Sequence, residues 1–257
     1  MRNDVPPPVG PNRASSAQIW GPFAPKAPRY RRFSTPGAPL KGLLIAGTGT
    51  GVGKTFVARS LCLALRRRGI PVVGVKPFET GCRPLPADAL ALERAARSGL
   101  PLDQRCFFRY RQPLAPAVAA EREGLKGGIA EAAARVKALA RERFVVVETA
   151  GGLEVPLDGT GTNLDLARRL KLPVILVGRD ALGTLNHTML SVRALRAARL
   201  VPWAIVLSRG TGPSDPSQGS NLRWVKRLTG VRRVLSLPRC HVDAAAAQLN
   251  HAAALAF

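Results

Sequence analysis

From Leu43 onward, short runs of consecutive apolar positions alternate with longer stretches in which apolar positions recur every three or four residues. The runs are Leu43–Ala46, Val72–Lys76, Phe144–Glu148, Val174–Gly178, Ala204–Ser208 and Val234–Leu237. Continuous apolar runs of this length, rich in Val, Ile and Leu, read as strands buried on both faces. Helical spacing covers Thr55–Arg68, Ala87–Ser98, Ile129–Arg143, Asp165–Leu170, Thr184–Ala198, Leu222–Leu228 and an alanine-rich stretch from Val242. The repeated order of strand then helix predicts an α/β domain, a parallel β-sheet with helices on both faces in an α/β/α sandwich. In such a sheet ligands bind beyond the carboxyl ends of the strands, so unusual residues there carry the most information.

Residues 1–40 show neither period. They are rich in Pro, Arg, Ala and Ser and too poor in apolar residues to offset the entropy of ordering. A disordered basic extension over 1–40 is therefore expected ahead of a single domain at 41–257. Its Arg and Ser content resembles that of a transit peptide, but its prolines oppose an amphipathic helix. A Gly/Ser/Pro loop is expected over Gly210–Ser220.

The first strand runs into Gly47-Thr48-Gly49-Thr50-Gly51-Val52-Gly53-Lys54-Thr55, which opens the first helix. This is a phosphate-binding loop of the P-loop NTPase kind. Backbone N–H groups of Gly51, Val52 and Gly53 can close around phosphate oxygens, with the helix N-terminus adding its positive dipole end. Lys54 can reach the terminal phosphates and the Thr55 hydroxyl can hold Mg²⁺. The pattern G-x-x-x-x-G-K-[ST] is met with one departure: Thr48 holds the first glycine position, with Gly47 one place earlier. A glycine-rich turn ahead of a core helix would explain the glycines but not Lys54 and Thr55, so a nucleotide triphosphate is the first expected ligand.

Other strand ends carry polar residues too. Lys76 closes the second run and leads into Pro77-Phe78-Glu79-Thr80-Gly81, facing the same crevice; taken alone it reads as a surface lysine. Asp88 opens the next helix, where an acid also favours the dipole. Glu148 ends an otherwise apolar strand, and a carboxylate there needs a nearby cation. With Thr55 and Asp88 it would offer Mg²⁺ hard oxygen ligands. Gly183–Asn186 begins a helix whose free N–H groups form an anion site. His187, without a carboxylate and a nucleophile beside it in sequence, reads as a packing residue.

Composition narrows the partners. A formal charge of +23 attracts phosphates, nucleic acid or acidic membranes alike. Seven basic residues against one acidic fall within residues 1–41, and Arg66–Arg68 lie where cations complement a helix C-terminus. No aromatic and basic platform accompanies them, so neither nucleic acid nor a membrane is expected as a partner. No apolar run is long enough to span a bilayer and Met1–Lys41 lacks the apolar core of a secretory signal, so a cytoplasmic protein is expected. Cys62, Cys82, Cys106 and Cys240 are widely spaced and read as reduced thiols.

From Leu43 to about Pro238 the chain resembles the dethiobiotin synthetases, ATP-dependent enzymes of biotin synthesis. The resemblance rests on Gly47–Thr55, the K-P-x-x-[ST]-G loop at Lys76–Gly81, and Asp88-Ala89-Leu90-Ala91-Leu92. It rests also on Pro113-Leu114-Ala115-Pro116, Val147–Pro156 and Leu182-Gly183-Thr184-Leu185-Asn186-His187-Thr188, all in family order. The resemblance implies that 7,8-diaminononanoate takes up CO₂ as a carbamate, which attacks the γ-phosphate before the second amine closes a ureido ring. It implies further that Lys76 binds the carbamate, that Thr50 and Thr80 bond carbamate and phosphate oxygens, and that Thr55, Asp88 and Glu148 hold Mg²⁺. A homodimer follows, with Gly183, Thr184, Leu185 and Asn186 of one subunit receiving the substrate carboxylate of the other. Three positions depart from the family: Gly49 where Asp is usual, Thr149 for Gly, and Ser208 for the Asn that reads adenine. Weak separation of ATP from CTP or GTP is therefore expected, with backbone near Pro238 as the other candidate reader of the base.

Two other readings compete. A partitioning-type ATPase switch on DNA or membrane would carry its signature lysine at Gly49, and an amidoligase of cobalamin synthesis would carry an appended glutaminase domain. Because residues 2–40 have no apolar period with which to dock, their deletion should leave the melting temperature and the activity of the remaining chain unchanged. A melting temperature lowered by several degrees would show that the extension packs on the domain.

Overall fold

The computed structural model describes residues 41–210 and 214–254. The expected extension at 1–40 and part of the 210–220 loop lie outside the described residues. The described residues begin with β1 (Gly42–Gly47), α1 (Lys54–Arg67), β2 (Val72–Val75), β3 (Phe78–Glu79), α2 (Ala87–Ala96) and β4 (Phe108–Arg109). It continues through α3 (Pro116–Arg122), α4 (Ile129–Glu142), β5 (Phe144–Gly152), β6 (Pro156–Asp158), β7 (Gly161–Thr162) and α5 (Asn163–Leu170). The last elements are β8 (Val174–Arg179), α6 (Thr184–Ala197), β9 (Pro202–Ser208), α7 (Gln218–Thr229), β10 (Val234–Leu237) and α8 (Val242–Ala254).

Among the described residues six strands form one parallel sheet in the order β10, β9, β8, β1, β5, β2. Alternate side chains divide its core. Leu44, Ala46, Val145, Val147, Leu176 and Ile205 pack with α4, α5, α6 and α7, whereas Leu43, Ile45, Val146, Ile175 and Val206 pack with α1, α2 and α8. Both faces are thus covered, as strands apolar at every position require. The expected α/β class and sandwich of layers are the observed ones.

Close packing depends on missing side chains at two points that position the ligand face. A Cβ on Gly74 of β2 would lie 2.6 Å from the Cβ of Leu92, so glycine there lets α2 approach the sheet. In β5 the pairing with β1 skips from Ile45↔Glu148 to Gly47↔Gly152, and Gly151 takes a positive φ of 72°. This irregularity corrects one expectation: Glu148 is the fifth residue of a nine-residue strand, not its last. The small residues Thr149–Gly152, which that expectation left outside the strand, continue it. α3 was not expected either; seven residues are too few to show a helical period, although Pro116 at its start is the usual opening.

A candidate nucleotide and metal site at the strand ends

β1 is central, and its end delivers the glycine loop to the middle of the ligand face. Gly51 and Gly53 have φ of 72° and 100°, conformations that other residues adopt only with strain. Gly47 is needed for space. A Cβ there would lie 2.8 Å from Lys54 Cδ and 2.9 Å from its Nζ. Lys54 therefore folds back through that gap, and its Nζ donates to the Gly49 carbonyl at 2.8 Å. Burial, with Lys76 as a second cause, lowers its pKa to about 8. An arriving phosphate would favour the charged form again.

Next to it lies a compact cluster of opposite charges. Lys76 follows β2 and is 4% exposed; its Nζ donates to Glu148 Oε1 at 2.7 Å and pairs with Asp88 Oδ2 at 2.9 Å. The Thr55 hydroxyl lies 3.0 Å from Asp88 Oδ1 and 2.8 Å from Glu148 Oε1, and its single proton serves one of them at a time. Burial opposes charge on Lys76, but Glu148 and Asp88 outweigh it and hold the pKa above the ordinary lysine value. Asp88 is likewise part-desolvated, yet Lys76 draws its pKa below the usual carboxylate range. Glu148 is 1% exposed and its Oε2 has no hydrogen-bond partner. An orphaned carboxylate oxygen beside a hydroxyl and a second carboxylate fits a hard divalent cation, because all donors are oxygens.

A cavity of about 830 Å³ opens over this cluster. Thr50, Lys54, Thr55, Lys76, Thr80, Asp88 and Glu148 line its polar side, and Phe56, Pro113, Leu114, Ala150 and Val155 line its apolar side.

Residues 41–245 match the family model described as an AAA domain. An ATP-dependent dethiobiotin synthetase of Anaeromyxobacter dehalogenans strain 2CP-1 is 46% identical over 202 residues, 77% of this chain and 90% of the relative. The ATP-dependent dethiobiotin synthetase of Rhodococcus jostii is 39% identical over 221 residues, 84% of this chain and 94% of its own length. That of Aquifex aeolicus is 38% identical over 191 residues, 74% and 86% of the two chains. The chain belongs to the dethiobiotin synthetase family.

The remaining residues singled out in this synthetase sequence lie apart from the cavity. Ser208 ends β9 and presses on the glycine loop: a Cβ on Gly53 would be 2.7 Å from its Oγ. Leu237 pairs with Ser208 in parallel strands, so Pro238 leaves the neighbouring strand at the same end of the sheet. Gly183, Thr184, Leu185 and Asn186 open α6, whose cap is Gly183 at φ 90°, and none of them lines the cavity of its own chain. His187 is exposed, contrary to the packing role read from sequence, because the buried stripe of α6 runs through Thr184, Thr188, Val192 and Leu195. The four cysteines are free thiols, three of them buried.

Two buried acids escaped the sequence reading. Asp180, just beyond β8, accepts from Asn221 Nδ2 at 2.9 Å and Ser236 Oγ at 3.1 Å and pairs with Arg209 at 3.4 Å, tying together the exits of β8, β9 and β10. Glu79, on β3, accepts from the backbone N–H groups of Asp88 and Ala89, and burial raises its pKa. The signal for Glu79 was its place between Lys76 and Thr80, inside the positions that the loop pattern leaves free.

Lys76 has a structural duty as well. It is the ion-pair partner of buried Glu148 among the described residues. Lys76→Ala should lower the unfolding free energy by about 3–5 kcal/mol in urea titrations, and adding Glu148→Gln should restore much of the loss. Unchanged unfolding in Lys76→Ala would mean that water, not the lysine, balances the carboxylate.

Proposed function

We propose that this chain is an ATP-dependent dethiobiotin synthetase that joins CO₂ to 7,8-diaminononanoate and closes the ureido ring, releasing ADP and phosphate. The juxtaposition of Lys54 and Lys76 around one cluster of oxygen ligands, beneath a cavity with an apolar wall, carries this reading. An aliphatic diamine needs an apolar wall for its chain. A carbamate and a triphosphate need cations.

In this reading one amine attacks CO₂ and loses a proton, leaving a carbamate held by Lys76 and bonded by Thr50 and Thr80. A carbamate oxygen then attacks the γ-phosphorus and ADP departs, giving a carbamic-phosphoric anhydride. The second amine attacks the carbonyl carbon, and phosphate leaves with the bridging oxygen. Gly51, Val52 and Gly53 supply N–H groups to the phosphates, and Lys54 swings from the Gly49 carbonyl to neutralise the transferring group. Thr55, Asp88 and Glu148 would hold Mg²⁺, which when bound offsets the charge of the phosphate oxygens. Most of the catalysis is positioning and charge neutralisation, so the chain needs no covalent nucleophile. Ser208 and Pro238 flank the base. A serine hydroxyl offers less paired recognition of adenine than an amide, which supports weak base discrimination.

A homodimer with shared sites completes the proposal. Leu182, just ahead of α6, is 86% exposed and Leu190, halfway along it, is 54% exposed, with exposed Asn186 and His187 between them, and a second subunit would cover these apolar side chains. The reaction draws on the ATP pool, which supports a cytoplasmic setting. No described helix is long and apolar enough to cross a membrane.

Phosphate release should require both the diamine and bicarbonate, and Lys54→Ala or Lys76→Ala should slow it by on the order of 10²-fold or more at temperatures where the variants remain folded. Phosphate release without diamine would contradict the assignment and favour a nucleotide switch.

A further inference from the structure

Glu79 is a carboxylate 4% exposed on the two-residue strand β3, and no ion pair reaches it among the described residues. Its Oε1 accepts the Asp88 N–H at 2.8 Å and its Oε2 accepts the Ala89 N–H at 2.9 Å. These are the second and third residues of α2, whose own cap residue is Pro86 and offers no side-chain acceptor. The first turn of α2 is thus capped from outside the helix. A negative group is favoured at a helix N-terminus, yet a serine at position 86 could satisfy such N–H groups without burying a charge. Capping alone does not account for a remote acid.

What the remote acid adds is a tether between two parts of the site. Glu79 lies three residues beyond Lys76 in the segment that also carries Thr80, whereas the backbone it holds is that of Asp88. Asp88 in turn aims its side chain at Thr55, 3.0 Å away, and at Lys76, 2.9 Å away. The bonds from Glu79 fix where that carboxylate begins. We propose that Glu79 is a positioning residue: by clamping the first turn of α2 to the Lys76–Thr80 segment, it sets Asp88 for a divalent cation. This rests on reading Asp88 as a cation ligand.

The test is calorimetric titration of Mg²⁺ into the ADP-saturated full chain, with the melting temperature measured in parallel. Glu79→Ala should weaken Mg²⁺ binding by about tenfold or more, the usual effect of losing a group that orients a metal ligand. Adding Pro86→Ser supplies a cap within the helix but no tether. The double variant should regain the melting temperature and keep the weak Mg²⁺ binding. Recovery of both would reduce Glu79 to a helix cap and overturn the proposal, as would unchanged Mg²⁺ affinity in Glu79→Ala. If Glu79→Ala fails to fold, Glu79→Gln, which keeps one acceptor, should fold and show a smaller loss; unchanged affinity there would also overturn it. Asp88→Asn separates the two levels. Unchanged Mg²⁺ binding in that variant would overturn the ligand assignment itself, whereas a loss in Asp88→Asn without one in Glu79→Ala would overturn the tether alone.

Discussion

A buried carboxylate in the middle of a strand must be balanced by a cation, and much of the ligand face follows from that requirement at Glu148. Lys76 supplies the balance at 2.7 Å. Asp88, half-open to the cavity, takes a second contact from the same ammonium, and the Thr55 hydroxyl lies within hydrogen-bond reach of both carboxylates. The cluster joins the exit of β2, the interior of β5 and the starts of α1 and α2. Removing one charge leaves another uncompensated in a medium where that is costly. The same economy of charge suits catalysis: an added divalent cation and a triphosphate bring balancing charges of both signs.

The sheet delivers these groups by close approach. Gly47 leaves room for the Lys54 side chain, Gly53 lets the end of β9 press on the loop, and Gly74 lets α2 lie near β2. Each is a place where a single methyl group would meet an atom at 2.6–2.9 Å. Packing at the sheet and geometry at the site are therefore one constraint. A change that pushes α2 outward would move Asp88 as well.

Much of this was legible from sequence where the chemistry is contiguous. Gly47–Thr55 carries loop, cation and hydroxyl in one stretch, and the buried parallel strands announce themselves by being apolar at every position. Groups that act through space were harder. Lys76 and Glu148 were each noticed but assigned different partners, because a distance of 2.7 Å across 72 residues has no sequence signature. The strand was ended too early at Glu148, because the small residues Thr149–Gly152 lack its apolar pattern although they continue β5 through an irregularity at Gly151. Glu79 was passed over because a cap is sought next to its helix, and this one comes from another element. His187 was misjudged by which side of α6 it faces.

The central claim is that the γ-phosphate goes to a carbamate oxygen rather than to water. It is tested most directly by rapid mixing of the enzyme, Mg²⁺, ATP and the diamine with ¹⁸O-labelled CO₂, before the label exchanges with solvent. The account predicts that released phosphate carries one ¹⁸O, the bridging oxygen of the anhydride, while the other enters the ureido carbonyl. Phosphate without label, formed at the same rate as the ring, would contradict it.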